Sequence, residues 1–279
     1  MGIHINRWQK IVQQHHEQSI KAQKNSLFAE PKDFWKPLTG FFTQDPTRTS
    51  DPEINALLTY IKENDTILDV GGGAGRLALP IALKSKHVNI IDPSKGMLET
   101  LTNTAEKFDI TNIHTTHSEW LDTNAKTATI VICAHVVYGI FEISEFIDKL
   151  SLHADREVIL LAFDAPPISW LSPFWEFVYK EKRVAVPALK ELMNILWEKN
   201  IFPDIEMIQP AEGKRRKRGY DNIEVAVEKI APRIFVSKGT PQEKNLQKAI
   251  KKLMVDTGNG LEMIDKGPER HLAIIRWLT

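Results

Sequence analysis

Thr66-Ile67-Leu68-Asp69-Val70-Gly71-Gly72-Gly73-Ala74-Gly75-Arg76 is the stretch that decides the fold. An apolar run with an acid inside it enters four glycines within five residues. A helical apolar pattern follows through Leu77, Leu79, Ile81, Ala82 and Leu83. Strand, glycine turn and helix in that order make a ligand loop. Glycines let the backbone take positive φ and approach a bound molecule closely, and the helix start directs free N–H groups at it. Asp69 selects the sign of that ligand. A carboxylate beside a phosphate is unfavourable, whereas a cation gains from it.

Outward from this loop the chain alternates. Val88-Asn89-Ile90-Ile91-Asp92 reads as a second strand that ends in an acid. Pro93 and Ser94 open a helix with Met97, Leu98, Leu101, Ala105 and Phe108 inward. A third strand is expected near Ile113–Thr116. Ala128–Ala134 is a near-continuous apolar run, as a central parallel strand requires. Val158–Phe163 and Ile205–Ile208 follow as strands, and His271–Trp277 closes the series, antiparallel. This pattern predicts an α/β fold: a seven-stranded, mostly parallel, doubly wound sheet.

The order Asp69-x-Gly71-x-Gly73-x-Gly75 resembles the first motif of class I, Rossmann-like methyltransferases that use S-adenosylmethionine (SAM). The resemblance covers residues 50–165 and, loosely, the final strand. It implies a loop wrapped around the methionine end of SAM, with Asp92 on the ribose hydroxyls. It also implies Pro93, Met97 and Ala134 against the cofactor, with Ser118 or Glu119 on the adenine amino group and Trp120 over the ring. His117 sits where the family more often has Asp. The Cys133-Ala134-His135-Val136-x-Tyr138-Gly139 turn is similar to that of methyltransferases of small-molecule type without an assigned acceptor. The competing motif is the dinucleotide fingerprint G-x-G-x-x-G/A. Counted from Gly71 it fails at Arg76; counted from Gly73 it ends on Ala78, which is allowed. Asp69 favours SAM.

Methyl transfer requires alignment of nucleophile, carbon and sulfur, and a hydroxyl or ammonium acceptor must also lose a proton. His135 and Tyr138, just past the fourth strand, and Asp164, just past the fifth, fall where an open sheet binds ligands. His135 and Asp164 are base candidates, and Tyr138 could orient the acceptor. Each also has a purely architectural reading, with His135 bonded to backbone near the cofactor.

Residues 1–50 read as an N-terminal lid: a helix over 3–25, then an aromatic segment with Phe28, Phe34, Trp35, Phe41 and Phe42. His15 and His16 read as solvated on that helix, and as neighbours about 100° apart they cannot share a metal. Asp51 or Ser50 caps a helix beginning at Pro52. Arg48 either reaches a carboxylate of cofactor or substrate or stays solvated in its turn. Helical insertions are expected at about 165–200 and 211–265, with aromatics from Trp170 to Tyr179. The methyltransferase domain itself spans 51–279. The run Lys214-Arg215-Arg216-Lys217-Arg218 could grip phosphates, but it lacks the interleaved aromatics of single-strand readers.

Net charge is zero, which disfavours a surface built for nucleic acid or anionic membrane. The single cysteine, Cys133, excludes an intrachain disulfide and points to a cytoplasmic setting. No run is apolar enough to span a bilayer, there is no signal-peptide core, and no metal-ligand cluster is evident. The reading is therefore a SAM-dependent methyltransferase with a small-molecule acceptor, a homodimer being left open. The alternatives are an RNA or protein methyltransferase using residues 214–218, a non-catalytic SAM-binding module, and a nicotinamide dehydrogenase.

Overall fold

The computed structural model describes residues 2–24, 33, 35–36, 39–208, 219–267 and 270–279. Phe28, Phe34, the side chain of Phe41 and the basic run at 214–218 lie outside the described residues.

The strands are β1 (Thr66–Val70), β2 (His87–Asp92), β3 (Ile113–His117), β4 (Ala128–Ala134), β5 (Ala154–Phe163), β6 (Asp204–Ile208), β7 (Met254–Asp256), β8 (Leu261–Met263) and β9 (Leu272–Leu278). Seven of them form one sheet in the order β3-β2-β1-β4-β5-β9-β6. β1 pairs in parallel with β2 and β4, and β5 in parallel with β4. β9 is antiparallel to both β5 and β6. That inserted antiparallel strand departs from the all-parallel 3-2-1-4-5-6 order of the dinucleotide fold.

The helices are α1 (Ile3–Lys24), α2 (Thr39–Phe42), α3 (Pro52–Leu58), α4 (Ala78–Ala82), α5 (Lys95–Lys107), α6 (Ile143–His153), α7 (Ser172–Tyr179), α8 (Leu189–Glu198), α9 (Ile223–Ile230) and α10 (Pro241–Leu253). Alternate residues of the central strands feed opposite faces. Ile130, Ile132, Ile159 and Leu161 pack with α3, α4 and α5. Val131, Cys133, Val158 and Leu160 pack with α1, α6 and α8. The crossover from β3 to β4 carries no helix; on its face Trp8 and Val12 of α1 and Trp120 share one core.

A third core lies off the sheet. Leu171, Phe174 and Trp175 meet Ala226, Ile230, Leu246 and Ile250, so the two expected insertions pack together through α7, α9 and α10. The stretch after Trp170, where the strand–helix alternation pauses, contains α7; Pro173 stands in its first turn, where a missing N–H costs nothing. The β7–β8 hairpin was not legible beforehand.

Candidate active site

β1 delivers Asp69 and then the glycine turn. Gly71 and Gly73 have φ of +77° and +56°. A Cβ on Gly71 would stand 2.3 Å from Val136 Cγ2, so this turn closes directly against the segment after β4. At Gly73 the equivalent atom would have nothing nearer than Met97 Sδ at 3.9 Å and Asp92 Oδ2 at 4.0 Å. Gly73, Asp92 and Met97 therefore line one candidate cleft, with Asp69 beneath the turn, where a Cβ on Gly72 would stand 2.6 Å from its Oδ2, and Gly75 and Pro93 flank it in the chain.

The two acids differ. Asp92 accepts the N–H groups of Gly73 and Ser94, each at 2.8 Å. Burial raises its pKa despite those bonds. Asp69 is wholly buried, and its Oδ2 has no hydrogen-bond partner. Burial, with the charge of Asp92 added, pushes Asp69 up to about 7, and Arg76 opposes this. A buried, unsatisfied carboxylate oxygen is costly and suits a cationic ligand. The residues present fit SAM, whose amino and sulfonium groups are positive and whose ribose offers hydroxyls to Asp92.

The N-terminal segment reaches this cleft. Asp33 accepts the Ser94 hydroxyl at 2.8 Å and the Gly96 N–H at 2.9 Å, so it clamps the start of α5 beside Asp92. At the end of β3, Ser118 donates its N–H to Asp92 O at 3.3 Å, and Glu119 is exposed. Trp120 turns away. It is buried under α6, its Nε1–H meets Phe146 O at 3.5 Å, and its ring contacts His153. That placement removes it from the adenine role the resemblance implied.

Past β4, the half-buried Ala134 leads into His135. His135 holds φ at +62°, stacks on Phe163 with ring centroids 4.8 Å apart, and sits 2.9 Å from Glu53 through Nε2. Glu53 was not singled out from the sequence. Its contact with His135 spans 82 residues, and an acid in a helix's first turn reads locally as dipole compensation. Arg76, closing the glycine loop, grips Glu53 at 2.7 and 2.8 Å. Arg48 takes neither expected role: it donates to Asp51 and to the Arg76 carbonyl, at 2.9 and 2.8 Å.

Tyr138 is buried, and its oxygen accepts the Phe163 N–H at 2.7 Å; burial raises its hydroxyl pKa. Asp164 binds His271 through both oxygens, at 3.0 and 2.9 Å. Beyond β5 a cavity lies between α1 and the first insertion, lined by His15, Pro166, Ile168, Trp175, Arg183 and Arg233. His15 is buried rather than solvated, and that burial drives its pKa down to about 4. Its neutral ring donates Nδ1–H to Val184 O at 2.6 Å and accepts Arg183 at 2.8 Å. Among the described residues no three His, Cys, Asp or Glu converge as a metal site, and no helix is long and apolar enough to cross a membrane.

Residues 67–151 match the family model described as a methyltransferase domain. An uncharacterized protein of Haemophilus influenzae is 25% identical over 170 residues, 60% of this chain and 62% of its own length. A ubiquinone biosynthesis O-methyltransferase of Rickettsia typhi is 39% identical over 88 residues, 31% of this chain and 35% of its own. The chain thus spans less than two thirds of the length of these curated relatives. Among solved structures, a methyltransferase candidate from Bacillus halodurans superposes with a TM-score of 0.54 at 15% identity, over 82% of this chain and 98% of that one. The YcgJ protein of Bacillus subtilis superposes at 0.52 with 12% identity, over 81% and 97%. With the strand order, these matches give the chain the Rossmann-like fold of class I methyltransferases, and residues 67–151, which hold the acid-led glycine loop, carry the match to a methyltransferase domain.

Proposed function

We propose that the protein binds SAM between Asp69 and Asp92 and methylates a small-molecule acceptor. The observation that carries this reading is the unpartnered, buried Oδ2 of Asp69 behind a glycine turn whose Gly73 N–H is held by Asp92. When bound, SAM supplies a methyl carbon activated by a sulfonium. The chain's task is then to orient and to exclude water. Gly71, Gly73 and Gly75 admit the methionine end, Asp92 takes the ribose, and Met97 packs nearby. Ser118 and Glu119 stand at the adenine end, and Pro93 and Ala134 border the cleft.

His135 is the base that relieves a hydroxyl or amine acceptor of its proton. Tyr138 fixes the backbone of Phe163, on which His135 stacks. Asp164, engaged with His271, holds the mouth of the sheet rather than a proton. The acceptor is enclosed by the N-terminal segment and the first insertion, both of which carry the aromatics an apolar pocket needs.

Calorimetry with SAM, S-adenosylhomocysteine and NAD tests the donor. SAM and S-adenosylhomocysteine are expected to bind, and binding of NAD alone would overturn the assignment. A panel of catechols, phenols and primary amines, read by release of S-adenosylhomocysteine, tests the acceptor. SAM binding with no turnover on any of them would make the protein a binding module. Changing the five cations at 214–218 to Ser is expected to leave panel turnover intact. Loss of salt-dependent RNA binding in that variant would instead favour a nucleic-acid acceptor.

A further inference from the structure

The structure places a second acid behind the candidate base. Glu53, in the first turn of α3, has a side chain only 13% exposed. Burial alone would raise its pKa, yet hydrogen bonds from His135 and Arg76 outweigh that and pull it down to about 2. Glu53 is therefore a carboxylate at any working pH, and a carboxylate can only accept. His135 Nε2, at 2.9 Å from Oε1, must carry the hydrogen. In the neutral ring the lone pair then resides on Nδ1. That nitrogen is buried and has no hydrogen-bond partner among the described residues. The ring is held by more than this bond. The backbone of His135 is in the left-handed region, which a side-chain-bearing residue keeps only under constraint. Its N–H is tied to Leu161 O at 2.9 Å, and Phe163 covers one ring face.

We propose that Glu53 is the positioning residue of the base: it fixes His135 as the Nε2–H tautomer and leaves Nδ1 as the proton acceptor. The role matches that of the carboxylate in a Ser-His-Asp triad, on an unrelated fold and for a different transfer. The inference rests on the methyltransferase reading with His135 as base. In the step, the acceptor's lone pair forms the bond to the methyl carbon. The carbon–sulfur pair departs to sulfur, and the acceptor's proton passes to Nδ1. The imidazolium so formed is balanced by Glu53, which stays ionised throughout. Oε1 of Glu53 also receives Arg76 Nη2 at 2.7 Å. The base and the glycine loop of the donor site thus share one anchoring carboxylate.

Two-bond proton–nitrogen correlation spectra of the ¹⁵N-labelled protein read the tautomer directly. In the native protein His135 is expected with Nε2 protonated and Nδ1 bare. Glu53→Met should mix the two tautomers. So should the double variant Glu53→Met/Arg76→Met, which removes the stranded cation in case the single variant folds poorly. Glu53→Gln keeps a carbonyl but loses the charge, and should fall between. With the acceptor found in the panel, kcat should drop about 10- to 100-fold in Glu53→Met. KM for the acceptor in Glu53→Met should stay within about threefold, which is roughly 0.7 kcal/mol. A native Nδ1–H tautomer, or an unchanged tautomer and kcat in both Met variants, would overturn the inference. A merely architectural Glu53 would lower stability and donor affinity and leave kcat of the folded protein unmoved. His135→Gln separates the two levels. If it retains turnover, the base reading fails, whatever the tautomer spectrum shows.

Discussion

Asp69 is a buried acid with an unpartnered oxygen beside the glycine turn. The groups acting on it are Asp92, whose charge raises its pKa, Arg76, whose charge lowers it, and Cys133, whose buried thiol feels it in return. Its pKa in the free protein is about 7, against an ordinary 3.8. A bound cation requires the ionised form, so below about 7 binding must expel a proton. Apparent Kd for SAM should then weaken by up to about tenfold per pH unit as pH falls below 7, and be flat above it. Calorimetry between pH 5.5 and 8.5, in buffers of different ionisation enthalpy, checks both the slope and the released proton.

Asp69→Asn should abolish that slope and weaken SAM by roughly 1.5–3 kcal/mol, the worth of a hydrogen bond to a charged group. The same substitution has the opposite effect on the empty fold. Because the folded pKa lies above the unfolded one, the folded state holds the proton more tightly. Its contribution is full below 3.8 and lost as pH rises toward 7. Asp69→Asn should therefore stabilise the ligand-free protein at pH 8 by about 1–3 kcal/mol, seen as a higher melting temperature. The positions of Asp69 and Asp92 were readable from sequence because each falls at the C-terminal end of its own strand. Glu53 was hidden because its partner His135 lies 82 residues away, and nothing in Asp51-Pro52-Glu53 distinguishes a buried anchor from a surface acid.

At the scale of elements, the glycine turn is shaped by one contact. Gly71 combines positive φ with a would-be Cβ 2.3 Å from Val136 Cγ2. Gly71→Ala should cost about 2–4 kcal/mol, the sum of a left-handed penalty and overpacking. Adding Val136→Ala should restore the packing part and leave the dihedral part, which a denaturation double-mutant cycle resolves. The strands were legible because period-two burial and apolar runs are written into single segments. Ala128–Ala134 was read with the bounds it has, whereas β5 begins at Ala154, four residues before the apolar run. Polar Asp155, Arg156 and Glu157 extend it because Arg156 pairs with Asp65 and Glu157 at 2.7 and 3.0 Å. A hydrophobicity pattern is blind to such pairing. Helix α1 is another case. Its first N–H groups are capped by Glu198 of α8, which accepts His4 and Ile5 at 3.1 and 3.0 Å, and no local residue announces that cap. Glu198→Ala should cost about 1 kcal/mol and raise amide exchange selectively in the first turn of α1.

Across the whole molecule three cores meet, and α1 joins the first to the third, with Ala22 packed in the latter. Arg183 is a second tie. Its guanidinium lies 3.9 Å over Trp175 and donates to His15 and Ser19 on α1, at 2.8 and 2.6 Å. Burial lowers its pKa to about 10. Trp175→Ala should cost about 3–5 kcal/mol and split a single unfolding transition in two, with α7, α9 and α10 losing amide protection before the sheet. The sequence showed helical insertions before and after the sixth strand, with aromatics from Trp170 to Tyr179. It could not show that they seek each other, because that meeting is a property of the closed sheet.

The position of β9 has a kinetic meaning. β6 is synthesised long before β9, yet among the described residues its sheet neighbour is β9, which lies between it and β5. Until residues 272–278 dock, β5 presents an open edge and β6 has no template to join. Docking of β9 is therefore a late, long-range event, and mutations that slow it should leave β1, β2 and β4 protected while β5 and β6 still exchange.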